Sequence, residues 1–204
     1  MAVKVRRHAL GVTWVEQNGM ARAAHALLSN QRVWLVDPYE DAAALTAVAE
    51  LGTPAGVFQL LDRHSRDCNA IAQRLGVPLL RLPVDAPGTP FECVALISNK
   101  AWHEIALWWA TERTLVIAEA VGTAPAFALG RRAGVHPILR LTPPRKRLSR
   151  FEPERLLVGH GEPIESGADA ALREALAQSR RDLPRLLTSL PKLMRGVRPR
   201  ETPQ

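Results

Sequence analysis

The sequence predicts a single mixed α/β (α+β) domain, and three observations carry that prediction. Apolar runs of strand length recur along the chain, most of them closed by Gly, Pro or Asp. Three segments, residues 41–51, 69–76 and 168–190, read as helices. The length of 204 residues, with 47% hydrophobic and 23% charged content, suits one domain with a real core. The order is strands, a helix, more strands and a final helix, with no internal repeat.

Residues 9–16 carry Val12 and Trp14 among small neighbours and read as a strand, and Asn18-Gly19 marks a turn. Residues 31–36 form the next extended run. Pro38 forces the chain out of it and leaves Asp37 at the C-terminal edge, where its carboxylate either caps a turn or lines a site. Residues 41–51 make a short helix capped by Asp41 and stopped by Gly52 and Pro54. A strand at 56–61 runs into the polar cluster Asp62-Arg63-His64-Ser65-Arg66-Asp67-Cys68. A helix follows it, with Ile71, Ala72 and Leu75 on one face.

Residues 77–82 form a short strand bounded by Pro78 and Pro83, and 85–90 form a loop. Segments 93–97, 105–109 and 114–118 are strands, the last two joined as a hairpin around 110–113. Residues 120–133, rich in Gly and Ala, read as a mobile connection. A short buried strand from Arg155 ends in Gly159-His160-Gly161, whose glycines let the backbone fold closely around the imidazole. The final helix, 168–190, puts Leu172, Leu176 and Leu183 on one face and is broken or kinked at Pro184. The domain is expected to span residues 1–195, with 196–204 a flexible tail.

The formal charge of +7 is carried mostly by Arg, since only Lys4, Lys100, Lys146 and Lys192 are Lys. That balance permits an anionic ligand without requiring one. Arg145, Lys146, Arg147 and Arg150, like Arg180, Arg181, Arg185 and Arg195, lack interleaved aromatics. They read as solvated faces, and nucleic acid is not an expected partner. Trp34, Trp102, Trp108 and Trp109 read as core packing. No apolar run reaches the roughly 20 residues of a membrane span. Lys4, Arg6 and Arg7 are not followed by the apolar stretch of a signal peptide. Cys68 and Cys93 have no CxxC spacing, so neither a disulfide framework nor a cysteine-only zinc site is indicated and the expected setting is a reducing cytoplasm; the expected partner is a small molecule, and the basic balance permits an anionic one.

The cluster at 62–68 is placed for chemistry: the strand fixes its position, and the first amides of the helix favour an anion. Other predicted strand ends offer Asp37, His103, Glu119 and His160. Nitrogen, oxygen and thiolate donors of this mixture suit zinc, or another first-row metal, provided the fold brings them together.

Several motifs in order give the chain a family resemblance. Val33-Trp-Leu-Val-Asp37 is followed by Leu60-Leu-Asp-Arg63-His64-Ser65-Arg66-Asp67-Cys68, then by His103 before Ile-Ala-Leu-Trp-Trp, Thr114-Leu-Val-Ile-Ala-Glu119 and Val158-Gly-His160-Gly. Over roughly residues 10–164 this succession resembles the metallo-β-lactamase superfamily, with its early strand ending in Asp, its His-x-His-x-Asp-His motif, its bridging Asp and its last His. The resemblance implies an αββα sandwich with a site along one sheet edge.

It also implies a degenerate metal site. Arg63 and Ser65 stand at the two leading His positions, and a guanidinium cannot ligate a metal. Asp67 is kept, Cys68 replaces the following His, Glu119 replaces the bridging Asp, His160 is kept and His103 resembles the middle His. One zinc held by Asp67, Cys68 and His160, assisted by Glu119 and with His103 as a remaining ligand, is the expectation. A shift of register by one residue would make His64 a ligand and displace Asp67 and Cys68. The implied activity is a mononuclear metal-dependent hydrolase, with Asp67 or Glu119 holding a water and Arg63 stabilising an anionic intermediate. The alternative is a metal-free, non-catalytic binding module in which Arg63 neutralises Asp67 and Glu119.

Overall fold

The computed structural model describes residues 2–64, 66–186 and 188. Two sheets pack face to face. The first holds six strands in sequential order: β1 (Val3–His8), β2 (Gly11–Glu16), β3 (Ala23–Ser29), β4 (Arg32–Val36), β5 (Thr53–Gln59) and β6 (Leu79–Arg81). The β1–β4 neighbours run antiparallel, while β4–β5 and β5–β6 are parallel. Those parallel connections carry α1 (Ala42–Ala49) and α2 (Cys68–Leu75), as a parallel crossover requires.

The second sheet begins with β7 (Glu92–Asn99), β8 (Trp102–Trp109) and β9 (Thr114–Ile117). A small ribbon of β10 (Val121–Gly122) and β11 (Gly134–Val135) follows, with α3 (Pro125–Ala128) between its strands. After α4 (Arg145–Leu148), β12 (Arg155–Val158) pairs parallel with β9, giving the order β12-β9-β8-β7. The last described helix of more than one turn is α5 (Ala168–Gln178).

Alternation along β4 shows how the layers arise. Trp34 and Val36 face the inter-sheet core with Phe58, Leu107 and Val116, whereas Val33 and Leu35 pack outward against Ala44, Val48, Ile71 and Ala72 of α1 and α2. Leu172, Ala175 and Leu176 of α5 join the core on the side of β11 and β12. The result is the expected αββα sandwich, in which each fully buried Leu or Phe contributes roughly 1.5–3 kcal/mol.

Several elements differ from expectation. The run 120–133 is no loose connection: it contains β10 and α3, and Val121, Ala124 and Phe127 are buried. Two strands, β1 and β3, were not legible, and His103 lies inside β8 instead of before it. The final helix breaks at Ser179–Asp182, not at Pro184, which sits in the first turn of the helical segment after the break. The expected continuation to 190 and the tail at 196–204 lie outside the described residues, as does Ser65.

Candidate metal centre

Three strand ends converge at one edge of the sandwich. His64 lies beyond β5 and before α2; beyond β9 comes Glu119; beyond β12 comes His160. One ligand atom from each of these three side chains lies within 4.8 Å of the others. Both histidines are buried, and their rings stand 5.6 Å apart.

Each imidazole is fixed from behind. His64 Nδ1 lies 3.1 Å from Asp37 Oδ2, and His160 Nδ1 lies 2.9 Å from the Met20 carbonyl. A carboxylate and a carbonyl can only accept, so both Nδ1 atoms carry a proton, and in the neutral rings Nε2 keeps a lone pair. His160 Nε2 is buried with no hydrogen-bond partner. An orphaned buried acceptor is costly unless something occupies it. The glycines on either side let the His160 backbone approach closely. A Cβ on Gly159 would sit 2.1 Å from the Ala118 carbonyl oxygen, and Gly161 has φ +105°. Burial drives the His160 pKa down to about 4, outweighing its carbonyl hydrogen bond.

Glu119 is held by charge and by backbone. Burial opposes its ionisation, but the hydrogen bond from the Arg63 guanidinium outweighs it and holds the carboxyl below its ordinary value. Arg63 Nη2 donates to Glu119 Oε2 at 2.9 Å, and its guanidinium lies 4.3 Å from the centre of the Trp102 ring. Beneath them Glu104, fully buried in β8, accepts from the amides of Glu119 and Ala120 at 2.8 and 2.9 Å and from Trp102 Nε1 at 2.9 Å. Burial pushes the Glu104 carboxyl up to about 7 against those three donors.

No family model matches the sequence, and no curated protein matches it. Solved structures do. The metallo-β-lactamase DIM-1 exposed to ceftazidime is 12% identical, with a TM-score of 0.58 over 89% of this chain and 98% of that one. A metallo-β-lactamase from Pontibacter korlensis is 12% identical, with a TM-score of 0.58 over 88% and 99%. The chain has the metallo-β-lactamase fold. A chemotaxis sensor, ODP, described as a peroxy diiron species, shares it at 13% identity, with a TM-score of 0.53 over 87% and 94%.

On this fold the expected ligand residues separate into two groups. Glu119 and His160 meet, and His64 joins them, as the alternative register allowed. Asp67 does not: its Oδ2 accepts from the Glu40 amide at 2.8 Å and ties the loop after β4 to the start of α2. Cys68 packs in the outer core beside the Pro38 and His64 carbonyls, and burial pushes its thiol up to about 12, away from a thiolate. His103 is exposed, its amide donating to Asp62 Oδ2 at 3.0 Å and its Nδ1 3.7 Å from the same oxygen. The Arg63 guanidinium donates to Glu119 and to the Ala101 carbonyl, the latter at 3.0 Å, and not to Asp67.

The register turns on Arg66. At φ +38° it folds its guanidinium inward onto the carbonyls of Ala23, Asp37 and Gly159, at 2.5, 2.8 and 3.2 Å. This one side chain ties the ends of β4 and β12 to the start of β3, fixing the backbone that presents both His64 and His160. Asp37, which the sequence left as cap or site residue, accepts from the Leu60 amide at 2.9 Å and orients His64. Glu104 and His136 went unassigned from sequence. A charged residue inside the apolar run of β8 was a usable signal for the first; His136 carries no local motif.

A cleft of about 630 Å³ lies beyond Gly161, lined by Arg6, Glu16, Thr123, Arg132 and Glu165 but by none of the three convergent residues. Arg6 is already paired with Glu165 at 2.7 Å, and Arg132 donates to the Ser166 carbonyl at 2.7 Å. Among the described residues, no helix is long and apolar enough to cross a membrane.

Proposed function

We propose that this chain is a metal-dependent hydrolase built on a single ion held by His64, Glu119 and His160. The observation that carries this reading is the pair of imidazoles locked with Nδ1 protonated, their free Nε2 atoms grouped with a carboxylate within 4.8 Å. Metal-binding histidines are oriented in this way, by a carboxylate or carbonyl on the other ring nitrogen. Two imidazoles and one carboxylate form a donor set suited to zinc, and three protein ligands leave a position open for substrate. The fold neighbours named as metallo-β-lactamases support a metal here, and the diiron sensor makes iron the one to compare with zinc.

A divalent ion there supplies Lewis acidity, activating a water and polarising a carbonyl or phosphoryl oxygen of an ester, thioester, amide or phosphoester. The chain's own groups do the rest. Asp37 and the Met20 carbonyl keep the imidazoles in register. Glu104 fixes the Glu119 amide, and Phe127 stacks on His160 at 5.3 Å and shields it from water. Arg63, with 46% of its side chain exposed, presents positive charge to an anionic substrate.

Metal analysis of protein purified without added metal, beside His64→Ala, His160→Ala and Asp67→Ala, tests this reading. One equivalent in the parent and in Asp67→Ala, lost in both histidine variants, is the expected result, with chelator-sensitive turnover of an ester or phosphoester panel. No metal in the parent, even after incubation with zinc or iron(II), would refute it.

The Arg63–Glu119 pair, at 2.9 Å, favours a second reading. In it the guanidinium serves as the counter-charge of Glu119, and the site is a metal-free pocket for a small anionic ligand. Unchanged stability with chelator, together with no bound metal, selects that reading.

A further inference from the structure

His136 stands at the same centre with its proton on the opposite nitrogen. It precedes the single 3₁₀ turn Pro137–Leu139, and its Nδ1 accepts from the Ile138 amide at 3.2 Å. A backbone amide can only donate, so Nδ1 holds the lone pair and Nε2 holds the proton. In His64 and His160 the order is reversed, because their Nδ1 atoms face Asp37 Oδ2 and the Met20 carbonyl. The His136 ring stands near-perpendicular to Trp102 at 4.9 Å and to Phe127 at 5.3 Å, so turning it over would cost both these contacts and the cap on Ile138.

The Nε2 proton of His136 is not yet committed. Its nearest acidic oxygen, Glu119 Oε1, is 3.7 Å away, beyond hydrogen-bond range. The other oxygen of Glu119 takes the hydrogen bond from Arg63 at 2.9 Å. Two donors therefore flank the carboxylate, one charged and one neutral.

We infer that His136 is a neutral hydrogen-bond donor to an oxyanion, a carboxylate or phosphate oxygen, bound beside Glu119 at the His64–Glu119–His160 centre. This assignment rests on the metal reading above and adds to it the class of ligand. It also separates His136 from the ligands: a nitrogen that carries a proton cannot bind a metal. Arg63 and the ion offset the charge of Glu119 so that an anion can approach, and His136 fixes its orientation through one N–H.

Three measurements test it. Imidazole ¹⁵N spectra of the metal-free protein should place the His136 proton on Nε2 and the His64 and His160 protons on Nδ1. Inorganic phosphate and acetate are then titrated separately into zinc-loaded protein, the tighter of the two fixing the class of oxyanion. His136→Asn keeps an acceptor for the Ile138 amide but has no distal donor. It should retain zinc and bind that anion about tenfold more weakly. His136→Gln restores a distal N–H and should recover affinity to within about threefold of the parent.

A proton on Nδ1, loss of zinc in His136→Asn, no anion binding by the parent, or equal anion affinity in both variants and parent would each overturn the assignment. If the parent takes up no zinc, the metal reading fails by that result alone. The spectra of the metal-free protein then decide against His136 as well if its proton is on Nδ1 or on both nitrogens.

Discussion

Asp37 and His64 meet with Oδ2 3.1 Å from Nδ1, across a gap of 27 positions in sequence. The other oxygen of Asp37 accepts from the Leu60 amide at 2.9 Å, so one carboxylate fixes both the loop and the ring it presents. Asp37→Asn separates those roles. The amide oxygen can still accept from Leu60, but the amide nitrogen faces His64 Nδ1 and drives the proton to Nε2. Metal affinity should fall about 10–100-fold while the midpoint of unfolding moves little. An unchanged zinc titration curve would show that Asp37 does not orient a ligand.

Arg63 divides the two functional readings. Its ion pair with Glu119 is half-exposed on the Arg side, with 46% of that side chain accessible. Pairs of that kind contribute about 1 kcal/mol or less. Arg63→Met should therefore leave chemical denaturation nearly unchanged and should strengthen zinc binding, because Glu119 loses a competitor. If the fold loses more than about 3 kcal/mol instead, Glu119 has been left as an uncompensated charge, and the metal-free module is the better account.

The sequence made the strand ends legible because chemistry punctuates them. Pro38 after Asp37 and the glycines around His160 mark chain exits that do not depend on distant contacts. Within 62–68 nothing local decides which polar side chain turns inward. That choice is made by Arg66, whose carbonyl partners Ala23, Asp37 and Gly159 lie on three other segments. Asp67 and Cys68 were favoured by motif order, yet α2 turns Cys68 into the outer core and leaves Asp67 to clamp Glu40. β1 was hidden by Lys4, Arg6, Arg7 and His8, which leave it only Val3 and Val5 as apolar residues, and β3 by an Ala-rich run of low strand propensity. His136 reaches the centre only through tertiary packing against Trp102 and Phe127.

Glu104 supplies a prediction about the floor of the site. Three N–H groups converge on its two oxygens, from Glu119, Ala120 and Trp102. In Glu104→Gln one oxygen becomes an NH₂ group that can accept nothing, so at least one buried donor is orphaned. The cost should be about 1–3 kcal/mol. At roughly 2–4 °C per kcal/mol for a domain of this size, thermal unfolding should fall by several degrees. A variant as stable as the parent would mean that Glu104 is already protonated and acts as a donor in the fold.

Part of the acid sensitivity should trace to His25, which sits between the sheets with Nδ1 2.8 Å from Thr13 Oγ1 and Nε2 3.0 Å from the Val158 carbonyl. Burial lowers its pKa from 6.5 to about 3, and the carbonyl hydrogen bond recovers only part of that. Between those values the unfolded chain takes up a proton that the folded chain refuses. The neutral ring's contribution is therefore fully present above about pH 6.5 and is lost as pH falls toward about 3. One unit below the unfolded pKa the loss is about 1.4 kcal/mol. His25→Gln, which cannot titrate, should lose less stability than the parent on going from about pH 7.5 to about pH 5.5, by roughly that amount. Denaturation curves of both proteins at both pH values check it, and parallel losses would assign the acid sensitivity to other groups.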